Sequence, residues 1–212
     1  MLTICEMFTS IQGESTFAGE VCAFVRLAGC NLACSYCDTA YAREPGTPQS
    51  VDTVYDWVRA QRSRLVEITG GEPLLQKDTG DLACRLCDDG HTVLIETNGS
   101  VDISRLPEPC VRVVDVKCPG SGAGGSFRIA NVNELRPHDE CKFVLSGRAD
   151  FDWAREFVAR HRLTAKCTVI FSPAWNTLSP KDLAEWMLAD NPGARLGLQL
   201  QKYLWGDAAR GR

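Results

Sequence analysis

Short apolar runs recur along the chain, most of them bounded by Gly, Pro or Ser. Cys22–Ala28, Leu65–Thr69, Thr92–Glu96, Val111–Val116, Glu140–Leu145, Cys167–Phe171 and Arg195–Leu200 are rich in β-branched residues and of strand length. Between them lie segments with helical spacing. Val51–Ser63 carries Val51, Val54, Tyr55 and Val58, and Thr79–Asp89, Ala149–His161 and Ser179–Ala189 repeat the pattern. Ser179-Pro180 reads as a cap followed by proline at the first helical position. Strand–helix alternation over about six units predicts a parallel α/β sheet with right-handed crossovers, either open or a partial barrel. In both, ligand sites gather at the carboxyl ends of the strands. Gly120–Gly125 reads as a flexible loop after a strand, and no repeat or linker divides residues 1–212, so a single domain is expected.

Composition narrows the classes. The chain has 212 residues, with 23 basic against 27 acidic side chains and a net charge of −4, so the basic excess of a nucleic-acid binder is missing. No run approaches the ~18 apolar residues of a membrane span, and Met1–Glu6 does not resemble a signal peptide, so a cytoplasmic protein is expected. Eleven cysteines, an odd number in a chain of this length, argue for reduced thiols rather than a disulfide framework. Most are expected to be buried small hydrophobes, Cys84 and Cys87 among them, and a minority to be ligands.

The chemistry concentrates after the first of these strands. Gly29-Cys-Asn-Leu-Ala-Cys-Ser-Tyr-Cys37 spaces Cys30, Cys34 and Cys37 as C-x3-C-x2-C on one loop. An iron–sulfur cube normally takes four cysteines, so three leave one iron open for chemistry. Zinc would require a fourth ligand, and three merely buried cysteines are the plain alternative. Ile68-Thr-Gly-Gly-Glu-Pro73 ends the next strand, where paired glycines allow close backbone approach and Glu72 offers a carboxylate. Glu96-Thr-Asn-Gly99, Asp115-Val-Lys117 and Ser172-Pro-Ala-Trp175 place polar or aromatic groups at later strand ends.

C-x3-C-x-aromatic-C, followed one strand later by Gly-Gly-Glu, resembles the signature of the radical S-adenosylmethionine superfamily. That resemblance implies a partial, TIM-like (β/α)6 barrel, modified or reduced, with a [4Fe–4S] cluster on Cys30, Cys34 and Cys37. The cluster would reductively cleave S-adenosylmethionine, and the cofactor would carry the hard chemistry. Tyr36 would pack beside the adenine. Gly71 and Glu72 would hold the methionine amine, with Asp115, Lys117, Ser172 and Trp175 around the rest of the cofactor.

Further features narrow the resemblance. Phe8-Thr-Ser-Ile-Gln-Gly-Glu14, Arg26, Asp38-Thr39-Ala-Tyr41 and Leu198–Trp205, taken in order, resemble the 7-carboxy-7-deazaguanine synthase family over nearly the whole chain. The implied substrate is 6-carboxy-5,6,7,8-tetrahydropterin, which loses ammonia in a ring contraction on the deazapurine and queuosine route. Ile11, Gln12, Gly13, Glu14, Arg26 and Thr69 would bind it, Arg26 by forking onto its carboxylate. Thr39 would ligate a Mg²⁺ that keeps several waters. A flavodoxin- or ferredoxin-type electron donor and a homodimer are implied, with no nucleic-acid or membrane partner. Gln201 stands where some members carry histidine, and the tail runs on to Arg212. The rival readings are a glycyl-radical-enzyme activase and a non-enzymatic metal or redox-sensing module.

Overall fold

The computed structural model describes residues 1–206, 210 and 211. Among the described residues nine strands form one open sheet: β1 (Leu2–Ile11), β2 (Val21–Leu27), β3 (Thr47–Gln49), β4 (Leu65–Gly70), β5 (Thr92–Thr97), β6 (Val111–Asp115), β7 (Glu140–Leu145), β8 (Thr168–Pro173) and β9 (Arg195–Leu196). Their order is β3-β1-β2-β4-β5-β6-β7-β8-β9. From β2 to β9 every pairing is parallel, and β1 runs antiparallel to both β2 and β3. The expected partial parallel barrel is therefore present, unclosed, with an antiparallel extension on one side.

Five α-helices accompany the strands: α1 (Val51–Ala60), α2 (Thr79–Asp88), α3 (Arg148–His161), α4 (Pro180–Asp190) and α5 (Leu200–Trp205). Alternation of side chains along each strand divides the interior in two. One face, including Val25, Val66, Ile68, Val93, Ile95, Val114, Phe143 and Phe171, packs under the helices as the main core. The concave face carries a smaller apolar floor of Cys22, Phe24, Leu65, Leu94, Val111 and Val113. Above that floor the same strands turn polar, with Arg26, Thr69, Glu96, Asp115 and Lys142 at successive inward positions.

Two crossovers lack an α-helix: β5 to β6, and β6 to β7, where only 3-10 turns occur. Ile103, Leu106, Phe127 and Val132 cover the sheet there instead. A fully buried arginine fastens these irregular segments. Arg112 on β6 donates through Nε to Asp139 at 2.9 Å, and through its Nη atoms to Asp139 and to the carbonyls of Ile103 and Glu134. Asn131 adds bonds from Nδ2 to the Gly99 and Val101 carbonyls at 2.9 and 2.8 Å. Backbone that a helix would have satisfied internally is thus satisfied by side chains.

Several expectations need correction. β1 was not foreseen, because a bulge between Ile4 and Glu6 breaks its alternation. Leu2 and Ile4 face the main core, and Phe8, beyond the bulge, faces the floor. The strand expected over Arg195–Leu200 ends at Leu196. The Gly197 amide still donates to the Phe171 carbonyl at 2.8 Å, and then the chain leaves the sheet edge to form α5. Ser179 precedes α4 and Pro180 opens it, but the serine side chain makes no capping bond. Gly120–Gly125 begins inside a 3-10 turn, Pro119–Ser121, and continues as turns. The Gly120 amide donates to Asp150 at 2.8 Å, and a Cβ there would lie 2.2 Å from Ser146 Oγ. Cys84 is exposed on α2 rather than in the core. Among the described residues no helix is long and apolar enough to cross a membrane.

Candidate active site

The concave face opens at the carboxyl ends of the parallel strands into a cavity. The β1–β2 turn and α5 lie over one side of the mouth. The Leu200 amide donates to the Gly13 carbonyl at 2.9 Å, and Gln199 and Gln201 donate to Glu14 Oε1 at 3.2 and 2.9 Å. The approach is close at Gly13, where a Cβ would lie 2.9 Å from the Gln201 backbone nitrogen. Lys202 reaches Asp38 at 3.9 Å, and Tyr203 packs edge-on against Trp175 with centroids 5.1 Å apart. The C-terminal segment thus covers part of the side a closed barrel would wall off.

The cysteine loop follows β2 directly and is moored on several sides. The Gly29 amide donates to the Ala42 carbonyl at 2.7 Å, and the Glu72 amide donates to the Gly29 carbonyl at 2.8 Å. Ser35 donates from its amide to the Ser121 carbonyl at 2.8 Å, and Asn31 Nδ2 to Ser100 Oγ at 2.9 Å. Cys30, Cys34, Tyr36, Cys37 and Thr39 all line the cavity. The three cysteines are free thiols. Among the described residues no three His, Cys, Asp or Glu side chains converge on a point that would hold a single metal ion, as a zinc reading requires. A cube spreads its thiolates over different irons, so this loop suits a cluster better than a mononuclear site.

Gly70 and Gly71 bring the end of β4 against this loop. Gly70 has a φ of +142°, and a Cβ on Gly71 would lie 2.1 Å from the Gly29 carbonyl oxygen. Gly71 lines the cavity, but Glu72 does not; it is fully buried behind the wall. Its carboxylate accepts from the Leu74 amide at 3.0 Å, Thr97 Oγ1 at 2.8 Å and the Asn98 amide at 2.7 Å. With these donors in place Glu72 braces the β4 and β5 loops against each other. Ser172 is likewise buried outside the cavity, its hydroxyl lying 2.5 Å from where a Cβ on Gly197 would fall. Ala174 and Trp175, beyond the end of β8, line the cavity instead. Tyr36 spans to β7, its hydroxyl donating to the Val144 carbonyl at 2.9 Å.

Every substrate-side residue expected from the sequence reaches the cavity: Ile11, Gln12, Gly13, Glu14, Arg26 and Thr69. Arg26 has a fixed partner. Its Nε donates to Glu6 Oε1 at 2.8 Å, and Tyr41 donates to the same oxygen at 2.7 Å. Asp115 and Lys117 also line it, paired at 2.8 Å.

Lys142, Glu96 and Glu67 form an inner charged group. Lys142 Nζ pairs with Glu14 at 2.7 Å, with Glu96, and with Asp115 at 3.7 Å. Burial alone would lower its pKa, but the facing carboxylates Glu14, Glu96 and Asp115 outweigh burial and raise it well above the ordinary lysine value. Burial likewise pushes Glu96 up, and the Lys142 charge more than reverses this, leaving Glu96 below the usual carboxylate range. Thr69 donates to Glu96 Oε2 at 3.0 Å. The sequence reading did not single out Glu67 or Lys142. Both are charged residues at alternate positions within apolar strands, which was the available signal. Among the described residues, three buried polar atoms on cavity residues, Asp115 Oδ1, Trp175 Nε1 and Gln201 Oε1, have no hydrogen-bond partner. Orphaned groups of this kind suit a polar ligand.

The sheet, the three-cysteine loop and the glycine pair define a radical S-adenosylmethionine protein, and the Radical SAM superfamily profile matches residues 25–114. The chain is 45% identical to the 7-carboxy-7-deazaguanine synthase of Koribacter versatilis (strain Ellin345), over 99% of this chain and 100% of that one. It is 46% identical to the enzyme of that name from Chlorobaculum tepidum, over 99% of this chain and 97% of that one. The chain belongs to the 7-carboxy-7-deazaguanine synthase family. Its fold matches a crystal structure of QueE from Escherichia coli with a TM-score of 0.73 at 23% identity, covering 94% of each chain. The superfamily implies a [4Fe–4S] cluster and S-adenosylmethionine as cofactors.

Proposed function

We propose that this chain converts 6-carboxy-5,6,7,8-tetrahydropterin to 7-carboxy-7-deazaguanine with loss of ammonia, acting as one radical S-adenosylmethionine domain over residues 1–212. The observation that carries this reading is the meeting, in one cavity, of the three-cysteine loop with Gln12, Glu14 and Arg26. The cofactor's chemistry needs only the first; a carboxylated aminopterin accounts for the second.

Cys30, Cys34 and Cys37 would hold the cluster, three thiolates where a cube normally takes four. When bound, the cluster and S-adenosylmethionine supply the radical that takes hydrogen from C6 of the pterin. The remaining work belongs to the chain. Gly71 offers backbone to the methionine end, held by Glu72 from behind. Tyr36 and Trp175 flank the adenosine, with the free Trp175 Nε1 and Asp115 Oδ1 as donor and acceptor and Lys117 beside them. Arg26, fixed through Nε by Glu6, turns its remaining guanidinium donors to the substrate carboxylate. Ile11, Gln12 and Gly13 bound the pterin, Glu14 accepts from its amino-pyrimidine edge, and Thr69 sits at the border between the two ligands.

Thr39 would offer its hydroxyl to a Mg²⁺, a hard cation that takes oxygen donors. Its Oγ1 lies 3.9 Å from Cys37 Sγ, which puts the hydroxyl beside the cysteine loop. The enzyme is cytoplasmic, works as a homodimer and takes electrons from a flavodoxin- or ferredoxin-type donor. Arg26→Ala tests the substrate assignment: pterin turnover is expected to collapse while the cluster still forms. Unchanged turnover in that variant would reject the assignment.

A further inference from the structure

Five carboxyl groups line the cavity, Glu14, Asp38, Glu67, Glu96 and Asp115, against two lysines, Lys142 and Lys117, while Asp38 reaches Lys202 at 3.9 Å. The lysines are already committed. Lys142 pairs with Glu14, Glu96 and Asp115, and Lys117 with Asp115. Arg26 belongs to Glu6. Glu67 is the acid left over: among the described residues it has no cationic partner. Its recorded bond is from the Gln12 side-chain amide, Nε2 to Oε2, and Gln12 Oε1 in turn accepts from the Glu14 amide at 3.0 Å.

The location of Glu67 reinforces the imbalance. It is 6% exposed and stands in register between Phe24 on β2 and Leu94 on β5, with Cys22 and Val113 nearby in the apolar floor. The groups facing it from the packed elements are Gln12 and Glu14 on the β1–β2 turn, Cys22 on β2, Glu96 on β5 and Lys142 on β7. An unpaired carboxylate in such a place is costly, so the neutral acid is the favoured form. Burial, reinforced by Glu96, pushes its pKa up to about 8. Glu96, one inward position along the neighbouring strand and paired to Lys142, is held on the opposite side of its ordinary value. Two carboxyl groups in one cavity with pKa values driven apart are the usual arrangement for an acid beside a permanent anion.

We propose that Glu67 is the acid that protonates the nitrogen departing as ammonia, while Glu96 stays ionised. The inference rests on the substrate reading given above. In the step, the Glu67 O–H bond breaks as an N–H bond forms, and the carbon–nitrogen bond breaks with its electron pair going to nitrogen. Ammonia leaves. The Glu67 carboxylate then takes the proton released from ring carbon as the contracted ring becomes aromatic. One proton is given and one recovered, so the substrate loses only ammonia and no further oxidant or reductant is required. Gln12 positions the acid by holding Oε2, which leaves Oε1 for the substrate.

The test uses the cluster-loaded enzyme with substrate deuterated at C6, comparing wild type, Glu67→Gln, Glu67→Asp and Gln12→Ala. Glu67→Gln keeps the shape and the bond to Gln12 but cannot supply the proton. It is expected to transfer deuterium into the cofactor as the wild type does, while ammonia and product formation fall by about 10²–10⁴-fold in kcat with KM little changed. Glu67→Asp, which keeps an acid one methylene shorter, is expected to retain part of the turnover and the loss of rate above about pH 8. Normal product formation by Glu67→Gln would overturn the proposal. So would a rise in KM at unchanged kcat shared by Glu67→Gln and Gln12→Ala, which would make Glu67 a prop for the β1–β2 turn. Loss of deuterium transfer in a folded Glu67→Gln enzyme would also overturn it, by placing the residue before the radical step. Absence of deuterium transfer in the wild type would instead reject the substrate reading.

Discussion

Replacing Lys142 by methionine tests whether the inner cavity is organised around one cation. Its side chain is 4% exposed, and the three carboxyl groups around it, Glu14, Glu96 and Asp115, are 19%, 28% and 10% exposed. Removing one partner of a buried ion pair costs about 3–5 kcal/mol, most of it from the charge left behind. Here the acids border a wet cavity and water can reach them, which brings the cost toward the lower end, about 3 kcal/mol. For a chain of this size a loss of 1 kcal/mol lowers Tm by about 2–4 °C, so Lys142→Met is expected to melt roughly 6–12 °C below wild type. The pH dependence gives a second handle. In the wild type Glu96 titrates below its unfolded value, so its contribution is present above that value and is lost as pH falls through the folded pKa. In the variant the orphaned carboxylates favour protonation, so the deficit is expected to shrink as pH falls. Thermal unfolding of both proteins from about pH 4 to pH 8 checks both statements. A Tm change under 2 °C, or a deficit that grows in acid, would refute the reasoning.

Other perturbations follow from the same geometry. Arg112→Ala leaves Asp139 buried without its cation and frees two irregular crossovers, so a loss of about 3–5 kcal/mol is expected in denaturant unfolding. Gly71→Ala forces a Cβ onto the Gly29 carbonyl and Cys30, and is expected to yield protein that reconstitutes little cluster by iron analysis and absorbance. Trp175→Phe keeps the edge-on ring packing and deletes an unpaired donor. It is expected to weaken S-adenosylmethionine binding about 2–13-fold, the equivalent of one hydrogen bond, in an equilibrium titration.

Much of this architecture is legible in the sequence because parallel strands buried on both faces read as compact apolar runs. The cysteine loop and the Gly-Gly turn were readable because both follow strand ends, where such sheets place their sites. What escaped has specific causes. The bulge at the start of β1 shifts its inward phase, so Leu2, Ile4 and Phe8 do not show a single alternation. The C-terminal segment carries strand-like leucines, yet the chain leaves the sheet after Leu196 because the β1–β2 turn offers the Gly13 carbonyl and Glu14 to the residues that follow. Glu72 stands in a motif whose spacing indicates a ligand, but only the fold shows that three donors from neighbouring loops already surround its carboxylate. Lys142 and Glu67 were visible as charges inside strands, and their meaning depends on which cations and acids the other strands bring to the same level. The end of the tail that runs on past α5, Arg212, lies outside the described residues.

The central claim is that the cysteine loop and the Gln12–Glu14–Arg26 group serve one reaction on one pterin. Its most direct test is anaerobic incubation of the cluster-loaded protein with S-adenosylmethionine, reductant, Mg²⁺ and 6-carboxy-5,6,7,8-tetrahydropterin deuterated at C6, followed by mass analysis. The account predicts 7-carboxy-7-deazaguanine, ammonia in equal amount and deuterium in the recovered cofactor. Full cluster occupancy and cofactor cleavage with the pterin left unchanged would contradict it.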